Sequence, residues 1–260
     1  MQISYSHTIY YLLLTQFKIF KRIVLDKLFD LAIWVFITAA VTIYLLPSFG
    51  LAHSYGSFTI AGLVASAGLF EQWNGATQLI SDFEGDNITQ YYLTLPMASW
   101  VVFAAYMIFY ALNTGVLMFG VLPVCKIFFG KHLDFSEFSL FYYVLMFVVS
   151  CIFFAAFTLW LVGMIKDMEH SGSVWMRFIY PLWTLGGFQF SYEVMSSFNP
   201  TLGYVSLCNP LLYLMEGTRA AILGQEGYIN IWVCVAVVLI FSVLFALHGL
   251  HRIKKRLDYV

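Results

Sequence analysis

Ser81-Asp82-Phe83-Glu84-Gly85-Asp86-Asn87-Ile88-Thr89-Gln90-Tyr91-Tyr92-Leu93-Thr94-Leu95-Pro96 is a polar, acidic break in an otherwise apolar region that extends from Phe58 to Val121. Three carboxylates, two amides and a proline cannot stay in hydrocarbon, so the break must emerge between two membrane spans. It also has internal order. Ile88, Tyr91, Tyr92 and Leu95 fall at i, i+3, i+4 and i+7, which places four apolar side chains on one face of a short helix. Asp86 or Asn87 is positioned to cap its start, and Pro96 ends it. Such a helix suits contact with another protein at the membrane surface. An interfacial loop resting its aromatics among headgroups has the same pattern, and spacing alone does not separate the two.

Working outward, the composition sets the class. Of 260 residues, 61% are hydrophobic, 19% aromatic and 10% charged. A soluble domain carries about 25% charged residues. So few charges cannot cover a water-facing surface, and the chain reads as an all-α integral membrane protein. Cys125, Cys151, Cys208 and Cys234 show no CxxC spacing, which supports neither a zinc nor a redox motif and leaves free thiols as the expectation. No cleavable signal peptide is visible, because the first apolar run, Ile9 to Leu14, lacks a preceding basic region.

Residues 8–28 carry Ile9, Leu13, Phe17, Phe20 and Val24 on one helical stripe and Thr15, Lys18 and Arg22 opposite. This pattern predicts an amphipathic helix lying in the interface; the start of a tilted first span is the other reading. Spans are expected at 28–46, 58–80, 99–121, 138–165, 174–190 and 231–250. Between Gln189 and Asn230, Pro200, Gly203, Pro210, Gly217, Gly224 and Gly227 interrupt every apolar run. No continuous span fits there, and two re-entrant half-helices are expected before the last span. With the N-terminus inside, ten of the 13 Lys and Arg residues fall on the cytoplasmic side. The positive-inside rule then puts both termini, and the acidic break, in the cytoplasm.

Chemistry-bearing motifs are few. No phosphate loop occurs; the nearest fragment, Gly130-Lys131-His132, lacks the spacing and the hydroxyl residue. His248 and His251 lie i, i+3 without a third ligand, so no metal site is expected. Glu71 stands inside the second span beside Gln72 and Asn74. An ionisable group within a span marks a functional site by default. Two roles are open to it: lining the cytoplasmic mouth of a path, or pairing with a basic residue of the N-terminal helix such as Arg22. The tryptophans could stack on sugar rings in a wide path, although interfacial belts account for such residues without a substrate.

The stretch Asn209-Pro210-Leu211-Leu212-Tyr213-Leu214-Met215-Glu216-Gly217-Thr218-Arg219 reads as a helix capped by Asn209, with Pro210 in its first turn. Glu216 and Arg219 lie i, i+3 and can pair, fixing a half-helix in place.

At these residues the chain resembles the membrane subunit of ABC-2 type ATP-binding-cassette exporters. The resemblance covers the N-terminal helix, the spans, the break ending in Leu95-Pro96, the Gly186-Gly187 passage, and Asn209-Pro210-Leu211 with Tyr213, Glu216 and Arg219. It implies a dimer of two such subunits, with a second, identical copy expected, working with two copies of a separate ATPase. Asp82, Glu84, Asp86, Ile88, Tyr91, Tyr92, Leu95 and Pro96 would then form the coupling helix that seats in the ATPase. ATP and magnesium would be held by that partner, with no cofactor on this chain and no nucleic-acid partner. The implied setting is a multi-pass protein of the inner or plasma membrane exporting a lipid-linked polysaccharide, a lipid or a drug-like molecule. A membrane-embedded enzyme or a secondary transporter is the rival. Facing polar constellations and internal repeats, which those would show, are not found in the sequence.

Overall fold

In a computed structural model, which describes residues 5–52 and 54–257, every regular element among the described residues is helical. The outermost residues, 1–4 and 258–260, and with them both termini, lie outside this description. α1 spans Tyr5–Ala40 and continues through a π turn, Val41–Leu45, into a last turn, α2, Leu46–Ser48. The expected break near residue 28 is absent. No proline or glycine interrupts Ile9 to Tyr44, so helix formation simply propagates across the amphipathic half into the apolar half. Along its first half, Phe20 is buried, Ile9, Leu13, Phe17 and Val24 are half-buried, and Lys18 and Arg22 are exposed.

α3 (Tyr55–Glu84) is followed by the short α4 (Ile88–Thr94) and by α5 (Ser99–Phe129). Pro123 does not end α5; the helix runs on through it to Phe129. α6 covers Leu140–Met164. The fifth long element is broken. It starts with α7 (Met168–Val174), passes through a π turn at Trp175–Ile179, continues as α8 (Tyr180–Trp183), and ends in a second π turn at Thr184–Phe188. It therefore begins earlier than residue 174. Three short helices follow where two were expected: α9 (Tyr192–Phe198), α10 (Pro200–Ser206) and α11 (Pro210–Leu223). α12 (Ile231–Leu257) runs past residue 250 into the basic tail.

Four of the described helices are long and apolar enough to cross a membrane: the α1–α2 unit from His7 to Ser48, α5, α6 and α12. α3 is 30 residues long but owes its place to burial rather than apolarity, with Gly, Ser, Thr and Gln among its buried positions. α1 and α5 run parallel, since Phe17 and Phe20 meet Phe109 while Phe36 meets Phe129 further along both. α3 runs antiparallel to α5, with Glu71 beside Asn113 and Thr89, beyond its end, beside Tyr106. α6 and α12 lie in close register. A Cβ on Gly249 would come within 2.7 Å of the Trp160 nitrogen, so only glycine permits this approach. All four cysteines are free thiols, with Cys208 exposed and the others buried.

Candidate functional site

Two polar clusters and one exposed helix stand out. The exposed helix is α4. Its first amides are capped from the preceding helix: Ile88 N and Thr89 N donate to the two Asp82 carboxylate oxygens at 2.8 and 2.9 Å. Neither Asp86 nor Asn87 does this. Asn87 occupies the cap position with a positive φ of 55° and turns its amide back to the Gly85 carbonyl. A left-handed residue after the Gly85 turn aims α4 back under α3, which brings Asp82 to the free amides. Thr89 is buried and its hydroxyl lies 2.9 Å from that of Tyr106 on α5. The helix is therefore tied to α3 at its start and to α5 along its inner side.

Its apolar residues divide between two faces. Ile88 and Tyr91 point outward, 43% and 62% exposed. Tyr92 and Leu93 are half-buried against the core. The single face expected of Ile88, Tyr91, Tyr92 and Leu95 is thus narrower than four residues, because Tyr92 is used in anchoring. Leu95 is half-buried and extended, as a residue before proline must be, and Pro96 is exposed. Asp86 is exposed. Glu84 faces a different neighbour: its carboxylate accepts from Met168 N at 3.0 Å and lies 4.0 Å from Arg256.

Arg256 belongs to no motif that marks it in the sequence. It donates to the Val162 and Ile165 carbonyls at the end of α6, at 3.3 and 3.0 Å, and lies 5.2 Å from the centre of the Phe83 ring. A cation closing the C-terminal carbonyls of a helix is favoured by the helix dipole. The ends of α3, α6 and α12 and the start of α7 therefore meet beside the α3–α4 turn. The start of α7 has its own cap, Asp167, which accepts from His170 N at 2.9 Å. Hydrogen bonds from the His170 ring and backbone hold the Asp167 carboxyl below its usual range.

The second cluster pins the broken elements. Asn209 caps α11 through Leu211 N at 3.0 Å and donates to the Leu182 carbonyl at 2.6 Å, with Pro210 following in the first turn. Tyr213 donates its hydroxyl to the Leu207 carbonyl at 2.9 Å. Glu216 and Arg219 are fully buried and lie 3.6 Å apart. Gly187, at φ +86°, breaks the helical ladder and frees carbonyls that have no partner of their own. Arg219 takes them: it donates to Gly187 O at 2.5 Å, Phe188 O at 2.9 Å and Phe58 O at 3.2 Å, and lies over the Phe58 ring. Glu216 accepts the orphan amides of Tyr192 and Ile229 at 3.2 and 3.3 Å. One i, i+3 pair thus fixes the end of the α7–α8 element, the start of α9 and the approach to α12.

The third group centres on Glu71, which is buried and bonds at 2.5 Å to Lys27 of α1 and at 2.5 Å to Asn113 of α5. Its cationic partner is Lys27, not Arg22, which is exposed five positions earlier on α1. Gln72 is fully buried, donates to the Tyr110 carbonyl at 3.3 Å and accepts from the Thr158 hydroxyl. It knits α3 to α5 and α6. Asn74 is exposed and borders a cleft of about 340 Å³ with Lys27, Asp30, Trp34, Phe70 and Glu71. Asn113 Oδ1 is the one buried side-chain polar atom without a hydrogen-bond partner among the described residues.

A helical chain of this hydropathy, with the buried charge of its described residues confined to ties between elements, is a multi-pass membrane protein. Residues 8–223 match the ABC-2 type transporter membrane family, and the chain belongs to it, as a permease subunit. A comparison with curated proteins finds no match.

Proposed function

We propose that this chain is the membrane subunit of an ATP-driven exporter and that α4 is the element through which a separate ATPase moves it. The observation that carries this reading is the double anchoring of α4. Asp82 and Thr89 tie it to α3 and α5, while Ile88 and Tyr91 remain outward. A short helix so fixed transmits a push from outside to the helices above it, whereas a loop resting in headgroups needs no such bonds.

In this reading α3 and the α7–α8 element join the four apolar helices to make six crossings. α10 and α11 enter the outer leaflet and return, held by Glu216 and Arg219. Both termini face the cytoplasm of an inner or plasma membrane. Two copies of this chain form the path for an amphipathic substrate, and two ATPase subunits carry ATP and magnesium.

The test is co-purification from detergent. The native chain should bring an ATPase subunit with it, and the Ile88→Asp/Tyr91→Asp variant should lose it while eluting at the same position. An ATPase retained equally by both forms removes α4 as the docking element.

A further inference from the structure

Basic residues gather where α6 and α12 end: Lys166, Arg252, Lys254, Lys255 and Arg256 make up five of the 13 Lys and Arg residues. Four of them line one cleft of about 270 Å³ together with Gly163, Met164 and Ile165. Lys166 comes from the α6 side, and Arg252, Lys255 and Arg256 come from α12. Among the described residues no acid lines it. Gly163 lets the two sides approach, since a Cβ there would come within 2.9 Å of the Arg252 Cβ. Arg256 is engaged with the Val162 and Ile165 carbonyls and with Glu84. Lys166, Arg252 and Lys255 are exposed, and among the described residues none of them forms an ion pair. Asp167, next to Lys166 in the chain, bonds His170 instead. Like charges gathered in one cleft repel one another, so an anion placed between them is favoured.

The level of the cleft says which anion. α6 and α12 are both apolar enough to cross a membrane, and these basic residues begin where that apolar pattern stops. One helical turn further in, Trp160 of α6 donates its indole N–H to His248 of α12 at 2.9 Å, and Phe178 packs on the Trp160 ring. A tryptophan with its polar edge engaged and its ring among apolar neighbours is characteristic of headgroup level. Met164, in the cleft wall itself, is exposed. The site therefore offers cations to a charged head and apolar side chains to a tail.

We propose that this cleft binds the headgroup of an anionic phospholipid of the surrounding bilayer. The phosphodiester oxygens accept from Lys166, Arg252 and Lys255, and an acyl chain lies along Met164 toward Phe178. A free phosphate has no use for the apolar side of the site. A basic tail that served only to orient the chain would not need Lys166, from a distant part of the sequence, on the same cleft. Arg256 joins the cleft to Glu84, so a lipid bound here lies beside the turn that aims α4. Neither α1 nor α5 contributes to the cleft, and the inference does not rest on the docking of an ATPase.

Native mass spectrometry of the full chain, purified in a neutral detergent with equal amounts of phosphatidylglycerol and phosphatidylcholine, tests this. Phosphatidylglycerol should be retained at least fivefold over phosphatidylcholine. Lys166→Gln and Arg252→Gln should each reduce that preference at least threefold, and Arg252→Lys should preserve most of it. Lys254→Gln removes the same charge from the same tail, but Lys254 does not line the cleft, so the preference should stay. Equal retention of the two lipids overturns the site. So does an equal loss in Lys254→Gln, which would reduce the effect to diffuse attraction. Millimolar glycerol phosphate should leave the lipid in place; displacement would give the cleft to a free phosphate and overturn the lipid assignment. Helix content and elution position identify a variant that fails to fold, and Lys255→Gln then takes its place.

Discussion

Arg219 satisfies three backbone carbonyls and one carboxylate from a fully buried position. The planar fork of donors suits this, because the acceptors lie on different segments. Arg219→Met should therefore cost about 3–5 kcal/mol, since it strands Glu216 and the carbonyls around Gly187. Arg219→Lys should recover little of that, because one ammonium cannot span the same acceptors. Thermal unfolding in detergent, read against the native chain, checks both. Lys27 and Glu71 offer a contrasting case. Lys27→Ala leaves a buried carboxylate bonded only to Asn113 and should destabilise strongly, whereas Lys27→Met/Glu71→Leu should be close to neutral in stability. If the double variant is as unstable as the single one, the pair does more than satisfy itself.

At the scale of elements, the α3–α4 turn is a device for aiming a short helix. Asp82→Ala removes the acceptor for two α4 amides and should cost about 1 kcal/mol locally. Hydrogen exchange at Ile88 and Thr89 should accelerate about fivefold, while amides in the middle of α5 stay protected; unchanged exchange would mean that the Gly85–Asn87 turn alone holds α4. The existence of α4, its end at Pro96, and the capping of α11 by Asn209 with Pro210 next were legible in the sequence, because caps and prolines act within a few residues. The agent of the α4 cap was not. Asp82 belongs to the preceding helix and reaches α4 only because Asn87 takes a left-handed conformation. Nor was the continuity of α1 legible, since a change from amphipathic to apolar patterning marks a change of surroundings, not a break in the helix. Pro123 likewise lies inside α5, where helix formation on both sides outweighs one lost hydrogen bond.

At the scale of the molecule, hydropathy and charge were enough to give an all-helical membrane protein; they pointed to six spans, whereas four of the described helices are long and apolar enough to cross a membrane. What they could not give is which polar residues face one another. Lys27 with Glu71, Gln72 with Thr158, and Arg256 with the end of α6 are separated by 44, 86 and roughly 90 residues of chain. The Glu216–Arg219 pair was readable because it is local, but its five backbone partners depend on breaks elsewhere in the fold. The convergence of Glu84, Met168 and Arg256 beside α4 has a consequence for coupling: Arg256→Ala should leave the ATPase bound yet lower transport several-fold, measured as ATP-dependent substrate movement in vesicles.

Contact between α4 and an ATPase is read directly in intact membranes by a photo-crosslinking amino acid at position 91, with the same group at position 204 as the control. Position 91 should give a crosslinked product that mass spectrometry resolves into this chain and a subunit carrying a phosphate-loop motif, and position 204 should give none. Crosslinks from position 91 to lipid alone would contradict it.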